Sequence, residues 1–150
     1  GRVLPATCQA VLTILDQAFY QTGASRQLSK IAIVGRSDLL GTPLYYQLLN
    51  LQCDHVKLFG KKELSELVEL GYGLQDFDVV VSSTGQRHLI TGSMIKPGAI
   101  VIDVGEPQPD VDYQSVKDVA SFLTPVPGGV GPMTIVSLLR NAVTLASSRK

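Results

Sequence analysis

The chain has 150 residues, the size of one ordinary domain, and can bury a core without disulfide or metal staples. Hydrophobic residues make up 45%, charged residues 17%, and mean hydropathy is +0.20, which excludes a disordered chain and leaves apolar surface for a partner. Lys plus Arg and Asp plus Glu balance at 13 each, so no net field draws in nucleic acid or an anionic membrane, and any anion must be held by local groups.

Cys8 and Cys53 are too few for a disulfide framework, and no Cys/His spacing suggests zinc. They read as reduced, buried thiols in a cytoplasmic compartment, with the mitochondrial matrix as the alternative. No apolar run approaches the roughly 20 residues of a membrane span, and no segment has the charged-then-apolar layout of a signal peptide, so a soluble protein is expected.

In chain order, Thr7 is a candidate N-cap for a helix over residues 8–20, with Val11, Leu12, Leu15 and Phe19 on one apolar face and Gly23 as its stop. Ile31–Val34 is a continuous apolar run ended by Gly35, as expected of a central parallel strand buried on both faces. Thr42 can cap, and Pro43 open, a helix through Leu51. The pattern then predicts a strand at Val56–Phe59, a helix over 63–70, strands at Val79–Ser82 and over 100–104, a helix over 114–119 and a strand at Phe122–Leu123. Lys96-Pro-Gly98 is the turn before the fourth strand, and helical periodicity resumes over 133–147.

Five strands joined by helical crossovers predict an α/β domain: a Rossmann-type doubly wound parallel sheet with flanking helices in three αβα layers. Ligands of such sheets sit beyond the carboxyl ends of the strands. That rule directs attention to the loops at residues 35–43, 60–62, 83–88, 103–107 and 124–134.

The first of these, Gly35-Arg-Ser-Asp-Leu-Leu-Gly41, stands where a dinucleotide fingerprint belongs but has Ser37 in place of the middle glycine. Gly35 permits a tight turn, the following helix start offers unpaired N–H groups and a positive dipole end to phosphate, and Arg36 adds a planar cationic fork. An ordinary strand-to-helix turn with a solvated Arg would read the same way. At the tip of the second strand an NAD-selective site usually carries Asp or Glu for the adenosine ribose, whereas this chain has Phe59-Gly-Lys61-Lys62. With Arg36 on one side, Lys61 and Lys62 on the other and no acid to repel it, a 2′-phosphate is favoured, so NADP is expected before NAD. Lysines opening a surface helix can also simply be solvated.

Ser82-Ser-Thr84-Gly85 ends the third strand with small residues that let a nucleotide approach the backbone, although a plain strand end would look alike. Asp103 is expected to orient a neighbouring loop through its N–H groups rather than act as an acid, because no His or second carboxylate stands beside it in sequence. His55 and His88 stand alone and read as surface or internally satisfied residues rather than bases. The strongest signal is Pro125-Val-Pro-Gly-Gly-Val-Gly-Pro-Met-Thr134, whose density of Pro and Gly leaves little chain entropy to lose and brings backbone close to a flat ligand.

Together, Ile33-Val-Gly-Arg-Ser37 with Gly41 and Pro43, Met94-Ile-Lys-Pro-Gly98, Val101-Ile-Asp-Val-Gly105 and Thr124-Pro-Val-Pro-Gly-Gly-Val-Gly-Pro-Met-Thr134 closely resemble, in order, motifs of the methylenetetrahydrofolate dehydrogenase/cyclohydrolase family. The resemblance covers almost the whole chain. It implies an enzyme that oxidises 5,10-methylenetetrahydrofolate with NADP or NAD and hydrolyses the methenyl product to 10-formyltetrahydrofolate. By the same resemblance Arg36 meets the 2′-phosphate, Ser37 contacts the cofactor phosphate or ribose, and Thr84 and Gly85 line the nucleotide. Gly105 belongs to the same cofactor-binding set, Thr134 holds the nicotinamide amide, and Gly128, Gly129, Val130 and Pro132 border the folate.

The family's catalytic Lys and its Tyr partner lie in a separate N-terminal domain, so no catalytic residue is assigned to residues 1–150, which form the NAD(P)-binding domain and are expected to be inactive alone. Folate bound jointly with that other domain, and a homodimer, are the expected partners. Several positions depart from the family pattern: Cys8 and Arg87 stand where Pro is usual, Gly60 where Ser is frequent, Glu106 replaces an apolar residue, and the stretch from Gly105 to Asp110 is short. They motivate the alternative function, a non-catalytic domain kept for dimerisation or regulation.

Overall fold

The computed structural model describes residues 4–105 and 108–124. The predicted helix over 133–147 lies outside them. The elements run α1 (Ala6–Thr22), β1 (Ile31–Val34), α2 (Gly41–Asn50), β2 (Val56–Phe59), α3 (Lys61–Glu69), β3 (Val79–Ser82), β4 (Ile100–Asp103), α4 (Tyr113–Val116) and β5 (Phe122–Leu123), with a single 3₁₀ turn at Gly92–Met94 before β4.

Among the described residues all strand pairs are parallel and the order is β2-β1-β3-β4-β5. Both neighbours of β1 are therefore reached by crossovers, one running outward to β2 and one returning to β3, and the carboxyl ends of β1 and β3 form the point where the winding reverses. Side chains alternate across the sheet. Ile31, Ile33, Val79, Val81, Ile100, Ile102 and Phe122 pack on one face with α1 and α2. Ala32, Val34, Val80, Val101 and Leu123 pack on the other with Leu64 of α3 and Val116 of α4. The result is the three-layer αβα arrangement expected from the alternation of apolar runs. Each fully buried Ile, Leu or Phe in these layers contributes roughly 1.5–3 kcal/mol.

Three helix starts differ from expectation. Thr7 lies inside α1, and Pro5 takes the cap position with φ −55°. A proline fixes the entering chain there, so the helix needs no hydroxyl cap. Thr42 lies inside α2, whose start is capped from the preceding loop: Ser37 Oγ accepts the N–H groups of Leu40 and Gly41, each at 3.1 Å. The third, α3, begins at Lys61, two residues early, because the carboxylate of Glu63 reaches back to accept the Gly60 N–H at 3.1 Å. Gly23 ends α1 as expected, in the left-handed region at φ +77°. Two shorter bounds also differ: β4 stops at Asp103, and α4 covers only Tyr113–Val116.

Candidate functional site

The loops after β1, β3 and β4 meet above the winding reversal. Gly35 has φ +112°, and a Cβ there would lie 2.7 Å from the Ser83 carbonyl oxygen and 3.0 Å from Ser83 Oγ. Gly41 packs still closer, since its Cβ would lie 1.7 Å from the Gly35 carbonyl oxygen. The two glycines thus let the β1 loop fold flat on itself and against the end of β3. Beside them the Ser83 hydroxyl is buried and has no hydrogen-bond partner among the described residues. Such a group costs free energy until a partner arrives, and ligand-binding crevices are a common place for one.

Ser37 does two things in this loop. Its Oγ and its carbonyl oxygen together take the N–H groups of Leu40, Gly41 and Thr42. The expectation that the start of α2 offers these N–H groups unpaired is therefore corrected: the loop satisfies them internally. What remains for an anion is the dipole end of a ten-residue helix and the hydroxyl proton of Ser37, which the two accepted bonds leave available to donate.

The β3 loop is fixed by a residue to which no sequence motif points. Asp110 is fully buried, and its carboxylate accepts the N–H of Thr84 at 2.7 Å, the Thr84 hydroxyl at 2.9 Å, the N–H of Gly85 at 2.8 Å and the Ser82 hydroxyl. Thr84 and Gly85 are thereby presented as one rigid corner. Gly105 closes the same corner: a Cβ on it would lie 2.3 Å from Asp110 Oδ1 and 2.5 Å from the Gln108 carbonyl oxygen.

Asp103 has the orienting role expected of it. Its carboxylate accepts the N–H groups of Gly105 at 2.8 Å and of Asp110 and Val111 at 3.2 Å each, while its own N–H donates to Thr124 Oγ1 at 2.9 Å. Burial pushes its carboxyl up to about 6, against the pull of the three N–H bonds and with a further upward push from the negative charge of Asp110. A second carboxylate does stand beside Asp103, in space rather than in sequence.

At the outer end of the crevice Arg36 is half exposed and forms an ion pair with Glu63, and its Nη2 also donates to the Leu58 carbonyl at 3.3 Å. The expected absence of an acid at this corner is corrected by Glu63, which lies one residue past the two lysines on the first turn of α3. Lys61 and Lys62 open that helix and are exposed, as are His55 and His88. Gly128, Gly129, Val130, Pro132 and Thr134 lie outside the described residues. A separate hollow of about 410 Å³, lined by Thr22, Ser25, Asp78 and Ser121 among others, lies at the opposite, amino-terminal edge of the sheet, away from these loops. Among the described residues no helix is long and apolar enough to cross a membrane, and no group of His, Cys, Asp or Glu could hold a metal ion.

Comparison with known proteins agrees with this geometry. The sequence model for the tetrahydrofolate dehydrogenase/cyclohydrolase NAD(P)-binding domain matches residues 5–150. The bifunctional protein FolD of Leuconostoc citreum is 40% identical over 149 residues, covering 95% of this chain and 50% of that protein. The methylenetetrahydrofolate dehydrogenase-cyclohydrolase of Trypanosoma brucei, solved with NADP cofactor and inhibitor, superposes with a TM-score of 0.71 at 30% identity over 98% of this chain and 52% of its own. The bifunctional enzyme FolD of Campylobacter jejuni gives 0.69 at 33% identity over 98% and 51%. The chain spans about half the length of these relatives. Its fold, its motif order and the match over residues 5–150 place the chain in the tetrahydrofolate dehydrogenase/cyclohydrolase family, as that family's NAD(P)-binding domain.

Proposed function

We propose that this domain binds NADP as the nucleotide-binding part of a bifunctional folate enzyme that oxidises 5,10-methylenetetrahydrofolate and hydrolyses the methenyl product to 10-formyltetrahydrofolate. The observation that carries the reading is the buried Ser83 hydroxyl at the winding reversal, without a partner among the described residues and flanked by the Gly35 turn and by the Thr84–Gly85 corner that Asp110 holds. Small residues, a helix dipole and a free hydroxyl donor fit a pyrophosphate, and no generic packing demand explains them together. NADP, when bound, supplies the hydride acceptor for the oxidation. In this reading Arg36 pairs with the 2′-phosphate and Ser37 donates to a phosphate or ribose oxygen. Lys61 and Lys62 add positive charge at the adenosine end, Thr84, Gly85 and Gly105 line the nucleotide, and Thr134 takes the nicotinamide amide. Gly128, Gly129, Val130 and Pro132 border a folate that is shared with a separate catalytic domain.

The same reading includes self-association, supported by the large side chains of Tyr46, Leu49, Val68, Leu70 and Tyr72, which stand exposed on α2 and around the end of α3. A strictly monomeric species in sedimentation at high micromolar concentration contradicts it. The buried free thiols of Cys8 and Cys53 are consistent with the cytoplasm and equally with the mitochondrial matrix.

Titration of the chain with NADP and NAD tests the nucleotide assignment. Arg36→Ala is expected to weaken NADP more than NAD, by about tenfold or more, because a well-formed charge-assisted pair with phosphate is worth on the order of 1.5–3 kcal/mol. Equal loss for both nucleotides removes Arg36 as the reader of the 2′-phosphate. No saturation by either at millimolar concentration favours the alternative, a non-catalytic domain kept for dimerisation or regulation.

A further inference from the structure

Arg36, Gly60 and Glu63 come from three different segments, the loop after β1, the tip of β2 and the first turn of α3, and close into one cluster. Glu63 Oε1 pairs with the Arg36 guanidinium and at the same time accepts the Gly60 N–H at 3.1 Å. Gly60 leaves room for this arrangement, since a Cβ on it would lie 3.3 Å from Glu63 Oε1 and 3.4 Å from Arg36 Nε. Glu63 is thus held from two sides, by a backbone donor and by a cation, and the positive end of α3 favours its charge there. Among the described residues neither Lys61 nor Lys62 forms an ion pair with it.

A guanidinium can receive a phosphate in its planar fork only where another anion does not already occupy the donors. Arg36 Nη2 is shared between the Glu63 carboxylate and the Leu58 carbonyl, so a 2′-phosphate that takes a fork through Nη2 must displace one of them, and it meets like-charge repulsion from Glu63 as it does so. An unphosphorylated ribose meets the opposite situation: its hydroxyls are donors, and an ionised carboxylate accepts from them. We propose that Glu63 is a specificity-determining residue of this domain, competing with the 2′-phosphate of NADP for Arg36 and accepting from the ribose hydroxyls of NAD, so that the margin for NADP over NAD is narrow. This rests on the assignment of the Arg36 corner to the adenosine end of the nucleotide. Arg36, Lys61 and Lys62 keep the phosphate admissible, and Glu63 sets how much it gains.

The test measures dissociation constants of NADP and NAD for the full chain and for Glu63→Gln, Arg36→Ala and the double variant. The glutamine variant keeps an amide oxygen for the Gly60 N–H, so thermal unfolding should confirm an intact start of α3. Glu63→Gln is expected to tighten NADP by about fivefold, the upper range for release of an exposed ion pair, while NAD stays level or weakens. In the Arg36→Ala background that gain should shrink to the relief of direct repulsion between Glu63 and the phosphate. Weaker NADP binding by Glu63→Gln, parallel changes for both nucleotides, or a gain that is undiminished without Arg36 overturns the role of Glu63 while leaving nucleotide binding intact. Saturation of the wild-type chain by neither nucleotide overturns both the role and the nucleotide assignment beneath it.

Discussion

Asp103 Oδ1 accepts the backbone N–H of Asp110 at 3.2 Å, and the carboxylate of Asp110 in turn holds Ser82, Thr84 and Gly85. The end of β4 is in this way connected to the end of β3 through two buried carboxylates in series. Removing the second one strands the N–H groups of Thr84 and Gly85 and the Ser82 hydroxyl, each worth about 1–3 kcal/mol when left unpaired in a buried place. Asp110→Ala is expected to lower unfolding free energy by roughly 3–5 kcal/mol. Asp110→Asn, which keeps one acceptor oxygen but turns an NH₂ group towards donors, should lose about 2 kcal/mol. Urea unfolding checks both, and a loss under about 1 kcal/mol for the alanine variant would show that the corner holds without Asp110.

The pH dependence should carry the signature of Asp103. Burial raises its folded-state pKa to about 6, above the ordinary carboxylate value, so between these two values the folded chain binds more protons than the unfolded chain. Its contribution to stability is therefore full below about pH 4, declines as the pH rises through 6, and is level above. Asp103→Asn removes the titration, at the cost of an acceptor for one N–H. The difference in unfolding free energy between wild type and Asp103→Asn should change by roughly 2–3 kcal/mol between about pH 4 and about pH 7, because raising a pKa by one is worth about 1.4 kcal/mol. A difference that stays constant over that interval contradicts the assignment. Asp78 works in the other direction: burial pushes its carboxyl up, but the hydrogen bonds from Lys96 and the Lys30 N–H, with the charges of both lysines, more than offset this and lower it. Taking the difference between the two proteins cancels that opposite slope.

Two glycines separate steric need from backbone need. A Cβ at Gly41 would lie 1.7 Å from the carbonyl oxygen of Gly35, an overlap with backbone that cannot swing away. Gly98 has φ +86° but nothing within 4 Å of its Cβ position. Gly41→Ala should thus cost about 3 kcal/mol or more and abolish nucleotide binding, as the β1 loop is pushed off Ser83. Gly98→Ala should cost about 1–2 kcal/mol, the strain of a left-handed alanine, and leave binding unchanged. Similar losses from both substitutions, measured by thermal unfolding, would refute the distinction.

How far the sequence reaches depends on how local each determinant is. Ile31–Val34 and Val79–Ser82 are apolar runs buried on both faces, and their β-branched composition alone places them at the sheet centre. The β1 loop, the small residues ending β3 and the orienting role of Asp103 are equally legible, because each is a short motif at a strand end. Asp110 is not, since its acceptor bonds reach residues 25–28 positions away and leave no spacing to detect. Glu63 escapes notice for a different reason. The acid that serves an adenosine ribose is expected at the strand tip, whereas Glu63 reaches back from three residues beyond Gly60, the spacing of a capping box and the one signal that could have found it. Ser37 displaces Thr42 as the cap of α2 because a loop hydroxyl can accept two N–H groups only once the Gly35–Gly41 turn has folded.

Ser83 offers a test in which stability and function move in opposite directions. Its hydroxyl is buried without a partner among the described residues, next to the backbone of Gly35 at the winding reversal. No described residue bonds to this group, so Ser83→Ala removes a buried polar atom while keeping the Cβ and the Ser83 N–H bond to the Val34 carbonyl at 2.9 Å. Unfolding free energy should rise by about 0.5–1 kcal/mol, since deleting an unsatisfied polar group relieves part of its desolvation penalty. If the hydroxyl is completed by the bound nucleotide, the same change should weaken NADP by about fivefold, the loss of one neutral hydrogen bond of roughly 1 kcal/mol. NAD should weaken equally, because the winding reversal faces the part of the molecule that the two nucleotides share. A stabilised variant with unchanged affinity would mean that Ser83 is merely a packing defect, and a destabilised one would mean that its hydroxyl is already paired in the nucleotide-free protein. A loss confined to NADP would place the 2′-phosphate at the centre of the sheet and displace Arg36 from its role.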